Sequence, residues 1–287
     1  MRHIVKNIIK TLTVLLIVLS VISCVKDNIH SYEKGQELLF DIAIKPNTKS
    51  SSAPTSSVIW AKTDEDKILW MEKEVLVKKD DGYYYSEKHP LWPKRGINIS
   101  FIAASPKERF EVNSFDEGLS VKDYDYFENL ELVYTKKTPL LNKENWQGPV
   151  QLIFEHALAL VEFRLSAPGL PDGTIVVKKL MIKDISTKGN FFSEPEAHWI
   201  TSSTRDLELF NGEKELESHS FYTLFKDYLI PQNRTLSVVL TCDIKSDGAT
   251  LTDQNLHCSV NAVWNCGKYI TYILKISPAL NLSIDKE

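Results

Sequence analysis

The chain has 287 residues, 34 basic and 38 acidic side chains and a net charge of −4. Removing the first 23 residues takes away Arg2, Lys6 and Lys10 and no acid, which leaves a net charge of −7. With no basic stripe to neutralise phosphates, this excludes nucleic acid as a partner, and a basic reader of membrane surfaces with it.

The N-terminus carries Arg2, Lys6 and Lys10, then an apolar run over residues 11–22, then Ser23-Cys24. A positive segment, a short apolar segment and a small residue before the break form a secretory signal. The run is about half the ~20 residues of a spanning helix. Val21-Ile22-Ser23-Cys24 fits a lipobox, in which an aliphatic residue stands three before an obligatory cysteine. Cys24 is then the lipid attachment site and the first residue of the mature chain, and residues 1–23 are the signal peptide. Two or more acyl chains at ~0.8 kcal/mol per methylene make such an anchor effectively permanent. The alternative is an uncleaved anchor helix with an incidental cysteine. Beyond Cys24 no segment is apolar over a membrane-spanning length, and about 260 residues remain for one large or two modest cores.

Residues 37–45 read ELLFDIAIK, with Phe40, Ile42 and Ile44 alternating against Asp41, Ala43 and Lys45. That period of two predicts a half-buried strand. Residues 46–57 are poor in large apolar side chains and predict an exposed, flexible connector. Strand signals then recur. Asp81-Gly82 stands between Glu74-Val75-Leu76-Val77 and Tyr83-Tyr84-Tyr85, a strong hairpin signal because both turn residues tolerate positive φ. Further strands are predicted at residues 97–104 and 130–134, before the polar run Asn142-Lys143-Glu144-Asn145. After it come residues 150–154, 158–165, 174–177, 180–182, 236–242, 269–276 and an alternating terminal segment, 280–284. Asn211-Gly212 and Asp247-Gly248 predict two more hairpins, and residues 213–218 a turn or two of helix. Many short strands and no sustained helical period predict an all-β fold of two tandem β-sandwich domains, residues 24–147 and 148–287.

No GxSxG elbow, HExxH, phosphate-binding loop or dinucleotide fingerprint is present, so nothing points to an enzyme, a metal or a cofactor other than the covalent lipid. Asp64 with Asp66 and Asp123 with Asp125 lie in polar stretches and read as solvated loop carboxylates. His156 within Phe154-Glu155-His156-Ala157 reads as a packed structural residue. Tyr83, Tyr84, Tyr85, Trp92 and Trp146 suit core packing, with a sugar-stacking platform as the alternative. Cys242, Cys258 and Cys266 match no zinc spacing, although His257 is adjacent; one disulfide or buried apolar thiols both remain open.

Phe154-Glu155-His156-Ala157-Leu158-Ala159-Leu160-Val161-Glu162-Phe163 resembles a segment of fimbrillin-like proteins, the type V pilin lipoproteins of Bacteroidota. Trp92-Pro93 with the strand at residues 97–106 stands before it, and Lys188-Gly189-Asn190-Phe191, Leu229-Ile230-Pro231-Gln232 and Trp264-Asn265-Cys266-Gly267-Lys268-Tyr269-Ile270-Thr271-Tyr272 after it, in the order of the family. The resemblance implies two transthyretin-like domains, an outer-membrane lipid anchor, and a fimbrial subunit whose partners are other subunits and a host or bacterial surface ligand. It also implies that a protease removes the first strand after an arginine, and that a strand of a neighbouring subunit fills the groove. Residues 37–45 would be the removable strand, and Leu280, Leu282 and Ile284 the donor-strand residues. No arginine lies between Cys24 and Arg95, so Lys45 and Lys49 are the candidate processing sites. The missing arginine suits a second reading, a non-polymerising anchor that keeps its first strand. A third is a surface lipoprotein that binds glycans through exposed aromatics.

Overall fold

The computed structural model describes residues 36–45, 54, 57–65, 68–146, 148–166, 173–216, 220–246, 248–277 and 279–287. Cys24, the signal segment, Lys49 and nearly all of the connector 46–57 lie outside the described residues. Contacts divide the chain into Met1–Glu37, of which only Gln36 and Glu37 are described, and Leu38–Glu287. Among the described residues no helix is long and apolar enough to cross a membrane.

The expected all-β fold is what the structure shows, interrupted by one turn of 3-10 helix at Tyr126–Glu128. The first eight strands are β1 (Phe40–Ile44), β2 (Ser57–Thr63), β3 (Met71–Lys78), β4 (Tyr84–Ser86), β5 (Ile99–Ser105), β6 (Ser120–Asp125), β7 (Val133–Thr135) and β8 (Val150–His156). Seven of them join edge to edge in the order β1-β4-β3-β2-β5-β7-β8 and close as a barrel. Between β3 and β4 the expected turn forms. Gly82 takes φ 89°, and the Asp81 carboxylate accepts from the Tyr83 amide at 3.0 Å. Leu38, Phe40, Ile59, Phe101, Val150 and Phe154, each 0% exposed, fill the barrel interior.

The other eight strands are β9 (Ala159–Ser166), β10 (Gly173–Phe192), β11 (His198–Leu216), β12 (Phe221–Leu229), β13 (Asn233–Ser246), β14 (Ala249–Val263), β15 (Tyr269–Ile276) and β16 (Leu282–Lys286). They form two sheets, β11-β10-β13-β14 and β12-β9-β15-β16. Alternate residues of the two sheets share one core, including Val161, Phe163, Leu165, Leu180, Ile182, Val238 and Leu274. A third core joins this layer to the barrel: Val58, Trp60, Ile102 and Ala104 from β2 and β5 meet Leu158, Leu160, Phe191 and Ile230. That is why every residue of β5 is buried, on both faces of the strand.

Three features depart from the local reading. Asn211-Gly212 does not turn the chain, because β11 continues through it with a bulge, Asn211 standing opposite Lys179 and Lys214 opposite Val177 on β10. Residues 213–216 continue that strand and are not helical. Fourteen cross-strand pairs with β10 outweigh a two-residue turn preference and a weak helical one. The polar run around Asn142, near which the sequence divides the domains, is a loop of the barrel. Beyond it β8 still pairs with β1 and β7, while β6 crosses over to pair with β10.

Candidate functional site at the first strand

In β1, alternation decides which side chains face inward. Phe40 is 0% and Ile42 8% exposed, with Leu38 buried just before them, while Ala43 is exposed and Asp41 half-buried. Phe40 meets Phe101 edge to face, with ring centroids 5.5 Å apart. Burying three such side chains contributes roughly 1.5–3 kcal/mol each. Their sum is comparable to the ~5–15 kcal/mol of net stability that a whole domain has.

The strand is held unevenly. It runs parallel to β8 in register from Phe40 opposite Val150 to Ile44 opposite Phe154, and touches β4 at a single pair, Phe40 with Tyr84. Its ends are tied by the Leu38 amide to the Pro90 carbonyl at 2.9 Å and the Lys45 amide to the Phe154 carbonyl at 2.8 Å. Taking β1 away would leave β4 and β8 as facing edges over Val150, Leu152 and Phe154. Unpaired main-chain groups flanking an apolar slot are a template for another extended segment. Lys45, the candidate processing residue within the described chain, follows β1 directly. Its side chain is 65% exposed and its Nζ lies 3.3 Å from Glu155 Oε1.

The candidate donor residues are in a different place. β16 lies antiparallel on β15, from Leu282 opposite Ile276 to Lys286 opposite Tyr272, at the outer position of its sheet. Leu282 is buried in the sandwich core, and Leu280 and Ile284 pack against that core. Lys275 to Asp285 at 2.6 Å and the Glu287 amide to the Thr271 carbonyl at 3.0 Å hold the end of the chain. Leu280, Leu282 and Ile284 repeat the spacing of Leu38, Phe40 and Ile42, yet the fold brings them to β15 and not to β1.

One charged cluster has a faint signal in the sequence: Glu162, a lone acid inside the apolar run of β9. Its carboxylate is 4% exposed and accepts a two-point contact from Arg164, both at 3.0 Å, and a hydrogen bond from Thr223 Oγ1 at 2.8 Å. The Tyr269 hydroxyl also donates to it, and Lys226 Nζ is 3.9 Å away. Burial by itself would raise its pKa. The hydrogen bonds from Arg164, Tyr269 and Thr223, with the Arg164 charge, instead pull it down to about 2. Arg164 also reaches Glu287 at 3.7 Å, so the cluster touches the residue that follows β16.

The remaining sequence candidates have structural surroundings. His156 is buried, stacks on Tyr228 at 5.0 Å and places Nδ1 3.1 Å from Glu131 Oε1. Asp64 accepts from Asn98, and Asp125 caps the 3-10 turn and pairs with Lys188 at 2.8 Å; Asp66 lies outside the described residues. Tyr84 and Trp92 belong to the barrel core and Trp146 packs against it, so these aromatics do not gather on an open face. Cys242, Cys258 and Cys266 are free thiols, and burial pushes Cys242 and Cys258 up to about 11 and Cys266 to about 12.

An all-β chain that builds its barrel around its own first strand matches the fimbrillin-like family over residues 31–287. The chain belongs to that family. A fimbrial protein from Bacteroides vulgatus is similar in fold at a TM-score of 0.57 and 17% identity, with 87% of this chain and 98% of that one covered. A candidate cell adhesion protein from Bacteroides uniformis is similar at 0.58 and 14%, with 88% and 97% covered. A fimbrial assembly protein from Parabacteroides distasonis is similar at 0.50 and 11%, with 88% and 95% covered. No curated protein sequence matches the chain.

Proposed function

We propose that this protein is a non-catalytic subunit of a surface fimbrium, exported as a lipoprotein anchored through Cys24 to the outer membrane and joined to neighbouring subunits by strand exchange. The observation that carries the reading is β1 itself: the first strand of the described chain, wedged between β4 and β8 and, with Leu38 just before it, supplying three buried side chains to the barrel. Cleavage after Lys45 or Lys49 frees it. The terminal segment of another subunit, with Leu280, Leu282 and Ile284 as its inward residues, then leaves its own β15 and fills the slot. Main-chain hydrogen bonds supply affinity and the alternating side chains set the register. Family membership and the fimbrial names of similar structures support the same reading.

Trypsin treatment of the purified protein is expected to trim it after Lys49, because Lys45 precedes Pro46 and trypsin does not cut a Lys-Pro bond, and to produce a ladder of heat-resistant oligomers on gels. The Lys45→Gln, Lys49→Gln double variant stays monomeric under the same treatment. Ladders from the double variant would remove both lysines from the mechanism.

Deleting residues 281–287 is expected to abolish the ladder while far-ultraviolet circular dichroism keeps its β signal, since the segment holds only the outer position of its sheet. Polymerisation equal to that of the full chain would rule out the donor assignment.

A second reading, a non-polymerising anchor that retains β1, is favoured by one observation: no arginine precedes Arg95 in the mature chain. The N-terminal sequence and mass of protein taken from cells separate the two. An anchor begins at lipid-modified Cys24, and a processed subunit begins near Ser50.

A further inference from the structure

Where β6, β10 and β11 lie side by side, the outward face of the sheet forms the floor of a cleft of about 540 Å³. Ser120, Phe192, His198 and Ile200 make that floor. Phe192 and His198 are cross-strand partners with stacked rings 5.4 Å apart, and Ile200 is 57% exposed. The opposite face of the same strands sends Phe191 and Trp199 into the protein, so the apolar floor is not part of that core. An isoleucine this exposed beside two flat rings has no packing role in the fold.

The walls are the loop from Asn113 to Gly118 and the turn at Glu194-Pro195. They are riveted together. The Leu119 amide donates to Ser193 Oγ at 2.8 Å, and the Ser193 amide to the Leu119 carbonyl at 2.9 Å. Gly118, at φ 73°, sits so close that a Cβ there would be 2.5 Å from Glu194 Cγ. This contact brings Glu117 and Glu194 to one rim. Lys62 pairs with Asp116 at 3.3 Å, and neither Glu117 nor Glu194 has a basic partner among the described residues. The cleft therefore offers two uncompensated carboxylates over an apolar, partly aromatic floor.

We infer that this cleft binds the side chain of an arginine carried by a basic peptide segment. A guanidinium is planar and weakly hydrated, stacks on ring faces, and presents a fork of donors that matches carboxylates. Its methylene stem would lie along Ile200. A lysine ammonium, compact and strongly hydrated, gains less from the flat floor. Sugar hydroxyls can donate to carboxylates but leave both charges unneutralised. The volume falls within the ~300–1,000 Å³ of ligand pockets and leaves room for residues on either side of the arginine.

The test uses the full-length protein in detergent, with acetyl-Gly-Arg-Gly-amide as the probe and saturation-transfer NMR as the readout. The arginine γ and δ methylenes are expected to take up saturation. The isosteric citrulline peptide, which keeps shape and loses charge, should bind roughly tenfold more weakly, as should the arginine peptide to the Glu117→Gln, Glu194→Gln double variant. Should the double variant unfold, Glu117→Gln alone, on an exposed side chain, carries the same comparison. Equal binding of the citrulline peptide, or undiminished binding by the variant, overturns the inference. So does saturation of a neutral oligosaccharide such as cellohexaose in place of the peptide, which would make the cleft a reader of hydroxyl groups.

Discussion

Replacing Phe40 with alanine should lower the stability of the barrel by about 3–5 kcal/mol, the usual cost of removing a buried aromatic ring from a core. Phe40 has no exposed surface, and its edge-to-face contact with Phe101 ties the first strand to the centre of the barrel. It is also the one residue of β1 registered with both neighbouring strands. Little else can close the gap, because the chain is fixed by main-chain bonds at Leu38 and Leu39 just before β1 and at Lys45 just after it. Urea unfolding followed by tryptophan fluorescence measures the loss, since Trp92 is buried in the same core. Asp41→Ala, at an outward position of the same strand, should change stability by less than ~0.5 kcal/mol. In protein trimmed after Lys49, a synthetic peptide spanning residues 37–45 should restore part of the stability lost with β1. If Phe40→Ala unfolds at the wild-type urea concentration, β1 is not integral to the barrel and its removal would open nothing.

Glu162 should give the second large effect. Substitution by alanine removes the acceptor of Arg164, Thr223 and Tyr269 at once and leaves donors facing a buried void. The expected cost at neutral pH is about 2–4 kcal/mol, between the loss of a charged hydrogen bond and that of a buried ion pair. Because Arg164 is 36% exposed and water relieves part of its charge, the lower half of that range is expected. The pH dependence has a definite sign. The folded-state pKa of about 2 lies below the ordinary value of 4.5, so the unfolded chain binds the proton more tightly. Stability from this group is present above about pH 4.5 and is lost as pH falls toward 2. A Glu162→Gln variant lacks that slope, and the difference between the two proteins in urea midpoint across pH 2–5 isolates it. Parallel curves for the two proteins would show that the carboxylate is not ionised against Arg164 in the fold.

The two substitutions test opposite kinds of legibility. The role of Phe40 can be read from its neighbours, because Leu38, Phe40 and Ile42 alternate with polar or small residues and predict one inward face. The turn at Asp81-Gly82 and the packed state of His156 were legible in the same local way. Glu162 was legible only as an oddity, a charge amid Leu160, Val161 and Phe163. Its partners Thr223 and Tyr269 are 61 and 107 residues away, and no local pattern points to them. The acid-rimmed cleft had no sequence signal either. Its floor comes from three strands, β6, β10 and β11, its walls come from a loop and a turn some 75 residues apart, and none of these stretches is distinctive alone.

Residue order by itself determined the strand-dominated character of this protein, the inward and outward faces of β1 and β16, the turn at Asp81-Gly82 and its lack of known catalytic motifs. These follow from alternation and turn chemistry, which act over two to eight residues. Only the tertiary structure decided that β1 lies parallel to β8, more than a hundred residues away, that β6 leaves the barrel for β10, and that β11 continues as a strand past the bulge at Asn211-Gly212. An extended strand carries the same hydrogen-bonding groups along both edges whatever its sequence. Its partners are therefore chosen by how all the apolar faces can be buried together, a property of the whole chain and of no single segment.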